Sequence, residues 1–121
     1  MTAAGQAPER GFPRSTRLLT GSDYQRVFAR ARRIPGTWFM LLYRSQDPPA
    51  AHARLGLAIS RKHARRAVDR NRLKRIAREA FRLRRHALPL VDIIVLSRAG
   101  ATAADRAELR AELDQMLEKL K

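Results

Sequence analysis

Residues 60 to 85 read Ser-Arg-Lys-His-Ala-Arg-Arg-Ala-Val-Asp-Arg-Asn-Arg-Leu-Lys-Arg-Ile-Ala-Arg-Glu-Ala-Phe-Arg-Leu-Arg-Arg, with twelve Lys or Arg side chains against two acids, Asp69 and Glu79. From Val68 on, Leu73, Ile76, Ala77, Ala80 and Phe81 recur at the spacing of one helical face, which predicts a helix that buries that face. A turn of about 100° per residue gathers Asn71, Lys74, Arg75, Arg78, Arg82 and Arg85 on the opposite side. The acid nearest that side is Glu79, one turn after Arg75 and close to Arg82. Like charges at helical spacing cost a few tenths of a kcal/mol per pair, so a ridge of five largely uncompensated cations points to a polyanion partner rather than to a merely solvated surface. Asn71 interrupts the ridge where another cation would serve a nonspecific phosphate binder. Its amide both donates and accepts, which suits a ribose 2′-OH, a base edge or a hydrated metal ion on a phosphate; a local bond to the backbone is the plain alternative.

The charge is unevenly spread. Of 26 Lys and Arg and 11 Asp and Glu in 121 residues, residues 105–121 hold four bases and five acids, which leaves the first 104 residues at +16. Such a field draws polyanions from a distance and makes binding depend on salt. The length allows one domain with one core. With no cysteine there is neither a disulfide framework nor a thiolate metal site. No apolar run resembles a secretory signal or approaches the roughly 20 residues of a membrane span, so a soluble, cytoplasmic protein is expected. A membrane-active amphipathic helix would use Leu73, Ile76 and Phe81, but flanking strands claim that face.

The remaining elements follow from local patterns. Residues 1–14, with Phe12 and Arg14, are poor in core-forming side chains and predict a flexible tail before a single domain over 15–121. Thr20 and Asp23 suggest a capping box for a short helix bearing Tyr24, Val27, Phe28 and Ala31 on one side. Core packing is the ordinary reading of Tyr24 and Phe28; beside a basic body, two aromatics one turn apart also form a platform for unpaired bases. Arg30, Arg32 and Arg33 lead through a loop to a turn at Pro35-Gly36. Trp38 to Arg44 reads as a strand, with Trp38, Met40 and Leu42 on one face and Phe39, Leu41 and Tyr43 on the other. Residues 47–51 form a loop. Arg54 to Ser60 reads as a strand with Leu55, Leu57 and Ile59 inward and small Gly56, Ala58 and Ser60 opposite, where a ligand can approach the backbone. Leu88-Pro89 ends the basic helix, and Val91 to Leu96 reads as a buried strand. Strand, basic helix and strand make a βαβ unit with a parallel pair. Thr102 with Asp105 suggests a capping box for a last helix whose stripe is Leu109, Leu113, Met116, Leu117 and Leu120 and whose mixed charges look solvated.

No catalytic constellation stands out. The acids before the last helix, Glu9, Asp23, Asp47, Asp69, Glu79 and Asp92, are scattered, and His52, His63 and His86 lack ligand spacing. No phosphate loop or serine elbow is present, so no catalytic residue is assigned to the chain alone.

The run Ala67-Val-Asp-Arg-Asn-Arg-Leu-Lys-Arg-Ile-Ala-Arg78 resembles the RNR signature of the protein subunit of bacterial ribonuclease P and meets its pattern Ala-Val-x-Arg-Asn-x-x-Lys-Arg-x-x-Arg at every fixed position. The resemblance extends over about residues 14 to 120. It implies an α+β sandwich in the order α-β-β-β-α-β-α, with a small mixed sheet and a left-handed βαβ crossover, although such crossovers are right-handed as a rule. It implies an endoribonuclease holoenzyme in which the RNA is the catalyst, holding Mg²⁺ with its phosphates. The protein then binds the 5′ leader of precursor tRNA, stabilises the RNA and its metal sites, and broadens the substrates accepted. Its partners would be the catalytic RNA and precursor tRNA, with no membrane and no obligate protein partner. Arg66, Arg70, Asn71, Lys74, Arg75, Arg78 and Arg82 would then grip the RNA subunit, Asn71 by direct contact or through a hydrated Mg²⁺. Tyr24, Phe28, Arg61, Lys62 and Arg98 would hold the leader. Ala99 stands where the family usually has a second basic residue, which weakens that corner. Family members also place an aromatic of the cleft near residues 42–43, where Leu42 and Tyr43 compete. The alternative is a ribosomal-type RNA-binding module without a processing role.

Overall fold

The computed structural model describes Arg17, residues 21–46 and residues 52–120. The expected tail over 1–14, the Thr20 half of the first capping box and the loop at 47–51 lie outside the described residues. The elements run α1 (Gly21–Arg30), β1 (Arg32–Pro35), β2 (Phe39–Ser45), β3 (Arg54–Ala58), α2 (Ala67–Arg84), β4 (Val91–Ser97) and α3 (Arg106–Glu118), in the expected order α-β-β-β-α-β-α. Arg32 and Arg33 therefore belong to a strand rather than to a loop. Arg32–Pro35 is short and polar and carries no periodicity of its own; its pairing with Met40–Tyr43 makes it a strand.

The sheet order is β1-β2-β4-β3, antiparallel except for the β3–β4 pair. Central β4 is covered on both faces, which is why Val-Asp-Ile-Ile-Val-Leu reads as a nearly continuous apolar run instead of an alternating one. On one face Phe39, Leu41, Leu55, Val91, Ile93 and Val95 meet Leu73, Ile76, Ala77, Ala80 and Phe81 of α2. The stripe of α3, from Leu109 through Leu120, closes the same core. Each large side chain so buried contributes roughly 1.5–3 kcal/mol; an acid at Leu73, which has no exposed surface, would break the layer. On the other face Val27 of α1 covers Leu42 and Ile94, flanked by Tyr24, Met40, Ala58 and Leu96. Trp38 departs from the expected alternation: it precedes β2 and packs with the main core rather than beside Met40 and Leu42.

The buried acid Asp92 is fully used. Arg54 Nε and Nη2 each donate to its carboxylate at 2.8 Å, and Gln46 Nε2 donates at 3.0 Å. The bonds that the Asp92 carboxylate accepts from Arg54 hold the guanidinium pKa above its ordinary value.

The last helix opens differently from expectation. Residues 101–103 form a 3₁₀ turn after Gly100, which takes a left-handed φ of 89°, and Asp105 itself is the N-cap. Its carboxylate accepts from Glu108 N at 2.8 Å and Glu108 accepts from Asp105 N at 3.2 Å, so the box pairs Asp105 with Glu108 and omits Thr102.

Candidate nucleic-acid interface

Because α2 buries its apolar face against the sheet, its opposite side is forced outward. Asn71, Arg75 and Arg78 are exposed, and Lys74 and Arg82 lie half-buried at the margins of the same ridge. None of the four cations Lys74, Arg75, Arg78 and Arg82 reaches a carboxylate among the described residues. Glu79, expected beside the ridge, instead faces α3, where Arg106 and Arg110 both donate to it. A helical rotation of about 40° beyond Arg75 is enough to make that difference.

Arg70 is turned away from the ridge. It donates to Ala64 O at 3.0 Å and Arg65 O at 2.7 Å, tying down the chain that enters α2. Arg66 is the exposed N-cap residue, and no side chain caps it. Arg70 thus orders the turn that carries Arg61, Lys62 and Arg66.

That turn sits at one end of the sheet. Ala58 pairs with Leu96, and Phe39 with Ser97, so the segments after β3 and β4 and before β2 emerge together. Ser60 N donates to Ser97 Oγ at 3.0 Å, and His63 Nδ1 lies 3.0 Å from Ser97 O. Arg61 and Lys62 are exposed on this turn. Exposed Arg98 is anchored beside it by its Nη1, which donates to Gly36 O at 3.0 Å.

The aromatic pair lies on the other face of the sheet from the ridge. The Tyr24 hydroxyl accepts from Leu57 N at 3.1 Å and meets Leu57 O at 3.4 Å, which holds the half-buried ring over β3 beside the small residues Gly56 and Ala58. One turn on, Phe28 is 47% exposed although its helix has apolar neighbours to cover it. Among the exposed large apolar side chains, with Val68, Leu83 and Leu90, Phe28 is the aromatic one, and it leaves a ring surface open to contact. The register places Leu42, not Tyr43, on this α1 face.

The Ribonuclease P family model matches residues 12–121. The chain belongs to the ribonuclease P protein family. It is 50% identical to the ribonuclease P protein component of Chromohalobacter salexigens over 113 residues, covering 93% of this chain and 87% of that one. With the same component of Thioalkalivibrio sulfidiphilus it shares 47% over 114 residues, 94% and 93% of the two chains. Among solved structures, the RNase P protein of Staphylococcus aureus superposes with a TM-score of 0.78 at 28% identity, over 88% of this chain and 95% of that one. That of Thermotoga maritima gives 0.74 at 28%, over 87% and 97%.

This ribonuclease P fold also contains a contact that no sequence pattern announced. Glu112 of α3 presents its carboxylate to three successive backbone N–H groups of the β1–β2 turn: Thr37 at 2.8 Å, Trp38 at 2.9 Å and Phe39 at 2.8 Å. Gly36 lies against the same carboxylate, since a Cβ there would stand 2.3 Å from Glu112 Oε1. The glycine is required by space. The acids of α3 are therefore not the solvated surface expected of them: Arg84 of α2 is bonded to Asp114 and Glu118, and Arg110 to Asp114. A lone Pro-Gly turn with an acid 76 residues later offers no local signal of such a meeting. Among the described residues no group of three or more His, Asp or Glu side chains is placed to hold a metal ion, and no helix is long and apolar enough to cross a membrane.

Proposed function

We propose that this chain works as the protein component of ribonuclease P, an endoribonuclease of tRNA 5′ maturation, assisting a catalytic RNA to remove the leader of precursor tRNA. The outward ridge of α2 carries the reading. Asn71, Arg75 and Arg78, exposed, with half-buried Lys74 and Arg82 at the margins, form one outward band whose cations have no acidic partners among the described residues, and it belongs to a ribonuclease P family member. Guanidinium forks suit phosphate oxygens, and Asn71 suits a 2′-OH or a hydrated Mg²⁺. Arg66 extends the band at its N-terminal end, and Arg70 serves it by ordering the entry turn.

The other sheet face takes the single-stranded leader. Tyr24 and Phe28 offer stacking surfaces worth about 1–3 kcal/mol per base. Arg61, Lys62 and Arg98 meet the phosphates at the sheet end. The two RNA surfaces lie on opposite sides of one small sheet and meet along the Ser60–His63 turn, so a single rigid body holds substrate and catalyst in register. Mg²⁺ supplies the activated water and charge neutralisation for hydrolysis. In this reading the RNA phosphates hold the metal, with Asn71 as an outer contact through water. Stabilising those sites broadens the range of precursors accepted.

The test is reconstitution with a ribonuclease P RNA at limiting Mg²⁺, scored for 5′ cleavage. Added protein should restore cleavage that the RNA alone performs poorly. RNA binding without any gain in cleavage would indicate a plain RNA-binding module, and cleavage by RNA-free protein would indicate a nuclease in its own right.

A further inference from the structure

A second basic hollow lies at the opposite end of the sheet. It has a volume of about 490 Å³ and is lined by Arg30, Arg32, Tyr43, Arg44 and Ser45. The topology separates it from the Arg61, Lys62 and Arg98 end of the leader surface. Ser45 pairs with Val91 at the start of β4, whereas Arg98 follows the end of that strand. We propose that this hollow is a further RNA site, binding one nucleotide unit of a single strand with its phosphate on Arg30 and Arg32 and its base against Tyr43.

Three observations converge. Arg32 and Tyr43 are directly paired across β1 and β2, so their side chains rise on the same face with Cβ atoms about 5 Å apart. Arg44 is fixed at the rim, where its Nη1 donates to Arg26 O of α1 at 2.7 Å. Among the described residues no acid lines the hollow, and Asp92, which pairs with Arg44 across β2 and β4, is already taken by Arg54. Charged residues on an edge strand do protect it from pairing with another sheet, but that accounts for exposed Arg33 as well as Arg32. It does not account for Arg30 at the end of α1 and Arg32 of β1 lining one hollow with a half-buried tyrosine. The volume falls within the range of about 300–1,000 Å³ of small-ligand sites. Forked guanidiniums beside an aromatic ring match a phosphodiester and its base better than an acidic peptide, which has no base to stack.

The inference rests on the chain working on RNA within the holoenzyme. The strand comes either from the leader beyond the α1 surface or from an unpaired segment of the RNA subunit. Full-length Arg32→Glu and Tyr43→Leu variants are reconstituted with the RNA subunit and titrated, over a salt series, with precursor tRNAs of short and long leader and with mature tRNA. Direct binding to the RNA subunit is measured in parallel. Tyr43→Leu keeps an apolar side chain on the core, and a matched charge reversal at exposed Lys119, which does not line the hollow, controls for net charge. We expect about tenfold weaker binding with each variant, and with Arg32→Glu a salt slope lower by roughly 0.7 for the lost single-strand phosphate contact. A loss that grows with leader length identifies the leader; a loss confined to the RNA-subunit titration identifies the catalytic RNA. Binding within about twofold of the unaltered protein for every RNA, or a loss that Lys119→Glu reproduces, overturns the site. Unaltered protein that fails to stimulate cleavage would instead refute the functional reading, independently of these variants.

Discussion

Removing the Glu112 carboxylate should loosen the turn between β1 and β2, 73 to 75 residues away in sequence. The carboxylate accepts three backbone N–H bonds at 2.8–2.9 Å. A hydrogen bond to a charged group contributes about 1.5–3 kcal/mol. The bond to Thr37 is exposed and the three share one carboxylate, so their sum is discounted to about 3 kcal/mol for Glu112→Ala. Gly36→Ala should cost about the same by another route. Its new Cβ would lie 2.3 Å from Glu112 Oε1 and 2.6 Å from Cδ, so the carboxylate must leave its donors. In a Glu112→Ala background both sub-3 Å contacts are gone, the nearest remaining atom is Phe39 O at 3.0 Å, and the extra cost should fall below about 1 kcal/mol, partly offset by the reduced freedom of the unfolded chain. Urea unfolding of the two single variants and the double variant measures this coupling, expected near 2 kcal/mol. Additive losses, or a Glu112→Ala loss under about 1 kcal/mol, would refute the reasoning. Both single variants should also weaken precursor tRNA binding, because the turn they displace carries the Gly36 carbonyl that orients Arg98.

Arg75→Ala should leave stability within about 0.5 kcal/mol, since the side chain is exposed, yet lower the salt slope for binding the RNA subunit by about one; an unchanged slope would remove Arg75 from the contact. Tyr24→Ala should reduce affinity for precursor more than for mature tRNA, and equal losses would contradict the leader assignment. Tyr24→Phe keeps the ring and loses the bonds to Leu57, so it should cost about 1 kcal/mol of stability while retaining most of that discrimination. Asp92→Asn strands a partly buried Arg54 and should cost about 3 kcal/mol in urea unfolding, and a loss under about 1 kcal/mol would mean that water already screens the pair.

Much of the site could be read along the chain because its cause is periodic. A helix that buries Leu73, Ile76, Ala77, Ala80 and Phe81 has no freedom over where Asn71, Arg75 and Arg78 point. The same holds for the alternation of Leu55, Leu57 and Ile59, which leaves small residues under α1. Arg32–Pro35 was illegible as a strand because its apolar signal is Ile34 alone and β2 supplies the rest. The fates of Glu79 and Arg70 were equally hidden: whether a charged side chain faces outward or sideways depends on which neighbour stands at its flank.

The amino-acid order by itself determined which helix is the basic one, which of its sides is apolar, where the positive charge is concentrated and, through Ala67 to Arg78, the family. Tertiary structure alone decided that the acids of α3 are bound rather than solvated, that Gly36 must lack a side chain, and that Arg30, Arg32, Tyr43 and Arg44 share one hollow. The division has a physical origin. Helical and strand periods are local consequences of backbone geometry, whereas the partner of a carboxylate or guanidinium is chosen by which surfaces meet when the core closes, across separations as long as that between Thr37 and Glu112.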